Sequence, residues 1–176
     1  GWKKPVLLSH PMLPGLKKGQ EKMSKSHHNT AIFMEDSAET VRDKIMAAFC
    51  PPGSEYAEAV AKIMQTKVKP EEGDTRKSQI ALANPVLSYY RYIVMDSLEP
   101  GEKLVLQRSP ENGGPLEFNR FDEMEALYSQ GQIHPMDLKQ NLVTYLNRFL
   151  EPVRRHFVED SYARELRERV ISYQSS

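Results

Sequence analysis

A stretch near the end of the sequence carries the most regular pattern in the chain. Between His134 and Val153, apolar residues recur at intervals of three and four positions, which places them on one face of a long helix. These residues are Leu138, Leu142, Tyr145, Leu146, Phe149, Leu150 and Val153. Pro135 suits the first turn of that helix, and Pro152 is expected to kink it because proline lacks an amide hydrogen. Since so wide an apolar face needs other helices to cover it, the pattern predicts a helical bundle.

The same periodicity predicts shorter helices on both sides of this one. Each follows a polar or acidic residue that is typical of a helix start. Two of these starts are predicted to form capping boxes. In the first, the Asp36 carboxylate or the Ser37 hydroxyl is the cap and Glu39 completes the box. In the second, Glu125 completes the box at Asp122. The predicted helices begin at Asp36, Tyr56, Asn84, Asp122, His134 and Asp160, and residues 69–77 are predicted to be a loop.

One segment interrupts the helical pattern. Lys103–Arg108 favours a strand, Asn112–Gly114 a turn, and Leu116–Phe118 a return strand, which together predict a small hairpin. From about residue 36 onward, the fold class is therefore mainly α with one β-hairpin.

The first residues follow a different pattern. Residues 5–10 are almost wholly apolar, as expected of a strand that is covered on both faces. The next segment, Gly19–Ser26, has no apolar periodicity and is predicted to be a loop, with lysines at Lys22 and Lys25. Ammonium and hydroxyl groups on a glycine-flanked loop suit binding to the oxygens of a polyphosphate. The alternative interpretation is a solvated basic loop.

Composition excludes several classes of protein. Lysine plus arginine and aspartate plus glutamate both number 24, so nucleic-acid binding would need local patches rather than long-range attraction. A single cysteine rules out an internal disulfide framework. No apolar run approaches the roughly 20 residues of a membrane span, so no membrane association is expected. The adjacent pair His27 and His28 point apart and lack acidic or thiol neighbours, so no metal site is predicted.

Three motifs in order resemble one family of enzymes. Lys22–Ser26 resembles the signature loop of class I aminoacyl-tRNA synthetases. Ala48–Gly53 and His134–Lys139 resemble segments of archaeal and eukaryotic tyrosyl-tRNA synthetases, and the hairpin lies where theirs does. The resemblance implies two parts. Residues 1–35 would be the last strand and signature loop of a Rossmann-type catalytic domain, and residues 36–176 an α-helical anticodon-binding domain.

The resemblance implies an ATP site on the first part. Lys22 and Lys25 would be catalytic, because they would stabilise the charge that builds on the leaving pyrophosphate. Ser24 and Ser26 would also contact the phosphates, while the backbone at Met12 and Leu13 would line the adenine.

The resemblance also implies an anticodon site. His134 and Asp137 match residues around the first anticodon base, a guanine, and Cys50 matches a residue near the middle base. Without the resemblance, His134 and Asp137 could equally be a helix start, and Cys50 a small buried residue. The family's hairpin turn carries an aromatic residue in some members. Here the turn has none, so stacking on the guanine would come from His134 or Phe118, or be weaker.

The implied activity is that of a tyrosine–tRNA ligase. The complete enzyme would use ATP and Mg²⁺ to activate tyrosine and transfer it to tRNA(Tyr), as a cytoplasmic homodimer. No His-x-Gly-His-like motif or tyrosine pocket occurs in the sequence, so this chain is expected to be a C-terminal portion that is inactive alone. Two alternatives stay open: a tryptophan–tRNA ligase fragment, and a non-catalytic RNA-binding or interaction module derived from a synthetase.

Overall fold

The structure is a computed structural model that describes residues 4, 6, 12–24, 28–66 and 75–174. The predicted strand at residues 5–10 and the loop residues Lys25 and Ser26 lie outside these ranges, apart from Val6 in the strand. The helices are α1 (Ala38–Met46), α2 (Gly53–Gln65), α3 (Thr75–Ala83), α4 (Pro85–Tyr89), a π-helical segment (Tyr90–Val94), α5 (Met95–Ser97), α6 (Phe121–Ser129), α7 (Pro135–Glu159) and α8 (Ser161–Gln174). Strands β1 (Leu104–Leu106) and β2 (Leu116–Phe118) form one antiparallel pair.

The mainly α fold with one hairpin is confirmed. Three of the predicted helix starts are also confirmed by capping bonds. The Asn84 side chain accepts from the Leu87 amide at 3.2 Å, His134 Nδ1 from Met136 at 3.1 Å, and Asp160 from Ala163 at 2.8 Å. In the described part of the chain, no helix is long and apolar enough to cross a membrane.

Neither predicted capping box forms, because Glu39 and Glu125 do not occupy the third position of their helices. Of the two predicted caps of α1, the Ser37 hydroxyl is the correct one, and it accepts from the Thr40 amide at 3.1 Å. Helix α6 starts one residue before Asp122, and Glu123 accepts from the Asn119 amide at 3.1 Å. Asp36 and Glu125 are thereby left to make tertiary contacts.

The boundaries of the second helix also differ from the prediction. Helix α2 begins at Gly53 rather than Tyr56, because Pro52 occupies its N-cap position. Residues 75–77, which were predicted to be loop, belong to α3. These residues are polar and show no apolar periodicity, so the sequence did not predict that they belong to a helix.

The core lies between α7, the helices across it and the hairpin. The inward residues of α7 are Leu138, Leu142, Leu146 and Leu150, and Val41 and Ile45 of α1 belong to the same cluster. The Asn141 side chain exchanges two 2.8 Å hydrogen bonds with the backbone of Gln107, and the Tyr145 hydroxyl bonds both backbone groups of Val105. These four bonds hold β1 against α7.

Helix α8 departs from the expected packing. Its apolar residues recur as predicted, but the larger ones remain exposed: Tyr162, Leu166, Val170, Ile171 and Tyr173. The apolar face therefore exists on α8, but the described part of the bundle does not cover it.

Candidate functional site

The base of the Gly19–Ser26 loop is attached to the helical bundle. Leu16 is only 1% exposed within the core. Its amide donates to Thr30 O at 3.0 Å, and its carbonyl accepts from the Phe49 amide at 2.7 Å. Because Phe49 lies just beyond the end of α1 at Met46, the two ends of the loop are held beside the C-terminus of that helix.

A tight turn precedes the lysines of the loop. Gly15 donates to Gln20 O at 2.9 Å, and Gly19 adopts a φ of 70°, a value that glycine reaches without strain. The turn leaves Lys22 exposed, while Met23 packs against the core with its sulfur 4.0 Å from the Tyr89 hydroxyl. The structure therefore presents Lys22 on an anchored segment.

The remaining predicted ATP-contacting residues differ in how exposed they are. Met12 is 67% exposed, and Leu13 and Ser24 are half-buried. Lys25 and Ser26 lie outside the described residues.

Cys50 lies half-buried just beyond α1. Its Sγ is 3.4 Å from the Tyr128 hydroxyl and 3.6 Å from Asn84 Nδ2. Burial is the main cause that raises the pKa of the Cys50 thiol, and the hydrogen bonds with Tyr128 and Asn84 act in the opposite direction. A thiol that stays protonated suits packing or a weak hydrogen bond rather than nucleophilic chemistry.

The segment after Cys50 packs on the end of α6. The Tyr128 hydroxyl donates to Pro51 O. A Cβ atom added to Gly53 would lie 1.7 Å from Tyr128 O, so the first turn of α2 approaches α6 as closely as glycine permits. Gly131 follows at a φ of 75° and turns the chain toward α7.

His134 and Asp137 lie in the first turn of α7. His134 is exposed, and its Nδ1 accepts from the Met136 amide, while no described residue bonds its Nε2 or packs on its ring face. Asp137 is half-buried and its amide donates to His134 O at 3.0 Å. The helix-start interpretation is therefore correct for His134, and it is compatible with a further role for the exposed ring.

Contacts between helices bring this turn near Cys50. Lys139 donates to Met46 O at the end of α1 at 2.9 Å, four residues before Cys50. On the other side, Arg108 donates to Gly114 O and to Gln132 O, both at 2.9 Å, and so ties the hairpin turn to the approach to His134. Lys139, Arg108 and Tyr128 were missed in the sequence, where only their proximity to the motifs could have indicated them.

Phe118 does not provide the missing aromatic of the hairpin. It is 3% exposed within the core and cannot stack on an incoming base. His134 is the exposed ring of the two. Among the residues that the structure describes, no group of three or more histidine, cysteine or acidic side chains could hold a metal ion.

A family model described as tRNA synthetases class I (W and Y) matches residues 1–151. The chain belongs to this family of class I synthetases. Within it, the relatives are tyrosine-specific by name. Tyrosine–tRNA ligases 1 and 2, cytoplasmic, of Arabidopsis thaliana are 37% and 41% identical over 97% of this chain. The resemblance to tyrosyl-tRNA synthetases is thereby confirmed, and the tryptophan alternative is not favoured.

Solved structures agree with this assignment. Leishmania major tyrosyl-tRNA synthetase in complex with tyrosinol matches 99% of this chain with a TM-score of 0.70 and 32% identity. The Pyrococcus horikoshii enzyme complexed with L-tyrosine matches 88% with a TM-score of 0.63 and 29% identity. The chain spans 37% and 19% of the lengths of the two Arabidopsis relatives, and 29% and 38% of the two solved chains.

Proposed function

We propose that this chain supplies the ATP-phosphate loop and the anticodon-binding domain of a tyrosine–tRNA ligase. Residues 1–35 would form the edge of the catalytic domain, and residues 36–176 the anticodon-binding domain. The observation that carries the proposal is the convergence of three motifs on one end of the bundle. Lys139 of α7 bonds the end of α1 just before Cys50, and the base of the loop docks at Phe49 beside it.

The loop would act on ATP by electrostatics. Lys22 is exposed on a segment whose base is anchored by Leu16, so its ammonium is accessible to phosphate oxygens. Its attraction strengthens as charge develops on the leaving pyrophosphate. Ser24, Lys25 and Ser26 would add contacts to the phosphates, and the backbone at Met12 and Leu13 would face the adenine. These five assignments rest on the resemblance.

The metal would enter with the nucleotide. Proteins often hold Mg²⁺ through one or two carboxylates together with substrate phosphates, and the described residues offer no cage of their own. Mg²⁺ so bound neutralises charge on the phosphates. Lys22 would complement that charge from the protein side.

The anticodon guanine would be recognised at the start of α7. Guanine presents two donors on one edge, and the Asp137 carboxylate can accept both. The exposed His134 ring can stack on the same base while its Nδ1 keeps the helix cap. Cys50, beside Tyr128 and Asn84, would contact the middle base.

The remaining parts of the proposal concern the whole enzyme. Tyrosine, ATP and tRNA(Tyr) would be its substrates, and a homodimer its working form. A cytoplasmic location is supported by the names of the two Arabidopsis relatives.

The decisive experiment measures binding of this chain to two anticodon stem-loops of tRNA(Tyr) that differ only at the first anticodon base. The wild-type chain is expected to prefer guanine over adenine there. Asp137→Ala is expected to reduce that preference by about 1–3 kcal/mol, as for other bidentate contacts to a base.

Asp122→Ala serves as the control because it also removes a carboxylate from the first turn of a helix, away from the proposed anticodon site. It is expected to leave the preference for guanine intact. If Asp137→Ala keeps the full preference and only lowers the stability of the chain, Asp137 is a helix-start residue and the anticodon assignment fails.

A further inference from the structure

A separate cavity of about 320 Å³ lies between α2, α3, α6 and the helix that runs through the π-helical segment. Its volume is at the lower end of the range of about 300–1,000 Å³ that is typical of small-molecule sites. None of the residues assigned above to ATP or to the anticodon lines it. Its chemistry comes from Arg91, Tyr92, Phe121, Lys77, and the pair of Tyr56 and Glu125.

Two of these residues belong to the π-helical segment, Tyr90–Val94. Such segments are rare and occur frequently at functional sites. Tyr90 is buried and donates to Leu138 O at 2.8 Å, which fixes the segment on α7. The next two residues, Arg91 and Tyr92, both line the cavity.

Arg91 provides a flat, charged surface. Its guanidinium carbon lies 5.0 Å from the centre of the Phe121 ring and 6.0 Å from that of Tyr92. The side chain makes no hydrogen bond or ion pair with any residue that the structure describes. A guanidinium plane held over an aromatic ring is a surface on which nucleic-acid bases stack.

A carboxylate lies on the same cavity. The Tyr56 hydroxyl donates to Glu125 Oε1, and the Oε2 atom has no hydrogen-bond partner in the described part of the chain. Burial chiefly, and the hydrogen bond to Glu125, raise the pKa of Tyr56, so the phenol remains a donor. Tyr56 therefore fixes the position of the Glu125 carboxylate, whose Oε2 atom can still accept a hydrogen bond.

A second cation completes the set. Lys77 lines the cavity from α3, is exposed, and makes no ion pair with the described residues. A ligand that satisfies all three groups needs a planar ring for Arg91, a hydrogen-bond donor for Glu125, and an anionic group for Lys77.

We propose that this cavity binds a nucleotide whose base carries an exocyclic amino group. The base stacks on Arg91, the amino group donates to Glu125, and the phosphate meets Lys77. Such a nucleotide can be a free mononucleotide or an unpaired nucleotide within RNA. The proposal goes beyond the tyrosine–tRNA ligase function and does not depend on the anticodon assignment.

The test compares four probes on this chain by calorimetric titration: adenosine monophosphate, inosine monophosphate, a short oligoadenylate and inorganic phosphate. Adenosine monophosphate is expected to bind about tenfold more tightly than the inosine analogue, which has an oxo group in place of the amino group. Inorganic phosphate is expected to bind more weakly than either nucleotide. Glu125→Gln should abolish the preference for adenosine monophosphate, because a glutamine amide can also donate to the oxo group.

Arg91→Lys keeps the charge but removes the planar surface, and is expected to weaken adenosine monophosphate binding about tenfold. Arg148→Lys, which changes an exposed arginine away from the cavity, is the matched control and should have no effect. If only a short oligoadenylate binds, and Arg91→Lys weakens it equally, the nucleotide is one carried by RNA.

Three results would overturn the proposal. They are an absence of binding by every nucleotide probe, binding of phosphate as tight as that of adenosine monophosphate, and an Arg91→Lys variant with unchanged affinity. The double variant His134→Ala, Asp137→Ala should retain adenosine monophosphate binding. If it does not, the nucleotide occupies the proposed anticodon site and the cavity assignment is wrong. The two proposals can thus fail separately.

Discussion

At the scale of single residues, Asp36 shows how a side chain that looks like a cap can have another role. Lys44 Nζ lies 2.9 and 2.7 Å from its two carboxylate oxygens, and the side chains are only 6% and 10% exposed. The Phe33 amide donates to the same carboxylate at 2.8 Å, and Arg154 donates to the Asp36 carbonyl. The pair thus joins the segment after the Gly19–Ser26 loop to both α1 and α7.

Lys44→Met is expected to destabilise the chain by about 3–5 kcal/mol. The substitution removes the cation and leaves the Asp36 carboxylate buried without its ion-pair partner, which is the costly way to break such a pair. Urea unfolding followed by circular dichroism measures the loss.

The exposed pair of Lys103 and Glu117, with side chains 49% and 58% exposed, offers the matched control. Lys103→Met should change the free energy of unfolding by no more than about 1 kcal/mol. Equal losses for the two variants would show that the burial of Asp36 does not matter.

At the scale of elements, the connection between α1 and α2 sets the geometry of the proposed anticodon site. Cys50 to Gly53 crosses the end of α6, where Tyr128 holds both the Cys50 thiol and the Pro51 carbonyl. Gly53 is needed here because a side chain would not fit, and not because of an unusual backbone angle, since its φ is not positive.

Gly53→Ala is expected to destabilise the chain by about 1–3 kcal/mol, because the new methyl group would overlap Tyr128 O and force α2 away from α6. The shift should also displace Cys50 and weaken binding of the anticodon stem-loop. Thermal unfolding and the stem-loop titration measure the two effects.

Ser54→Ala is the control for this helix turn, since Ser54 is exposed and the substitution improves helix propensity. It should leave both quantities close to wild type. A Gly53→Ala variant as stable as Ser54→Ala would mean that α2 and α6 do not approach as closely as described.

At the scale of the whole molecule, buried tyrosines make the stability of the core depend on pH in the alkaline range. Burial is the main cause that raises the pKa of Tyr56, Tyr89, Tyr90 and Tyr128 above the ordinary value. The folded chain therefore keeps protons that the unfolded chain loses above about pH 10. Their contribution to stability is complete below that pH and is lost as the pH rises toward their folded pKa values.

The free energy of unfolding is expected to fall above about pH 10, with a slope of up to about 1.4 kcal/mol per pH unit for each buried tyrosine. Urea unfolding at a series of alkaline pH values measures the slope. Tyr89→Phe should reduce it by one such increment.

Tyr173→Phe supplies the comparison because Tyr173 is exposed on α8. Its slope should equal that of the wild type. An unchanged slope in Tyr89→Phe would contradict the link between burial and alkaline stability.

Local rules were sufficient for the helix starts at Asn84, His134 and Asp160, because a cap bonds an amide only two or three residues away. The hairpin was likewise predicted from the Asn112–Gly114 turn between its two strands. Local rules did not choose between Asp36 and Ser37, because both offer a cap and the buried pair with Lys44 occupies Asp36. At Asp122 they failed, since α6 starts one residue earlier. The sequence pattern of α8 was read correctly, but whether its apolar face is covered depends on what packs there.

The sequence alone was therefore enough for the mainly α fold and the family, since these depend on periodicity and short motifs. Only the tertiary structure could bring Cys50 to Tyr128, 78 residues away, or show that Phe118 is buried while His134 is exposed. It also decided that Arg91, Glu125 and Lys77 line one cavity. Contacts of this kind are set by how helices pack against one another, and helix packing cannot be predicted from a short segment of sequence.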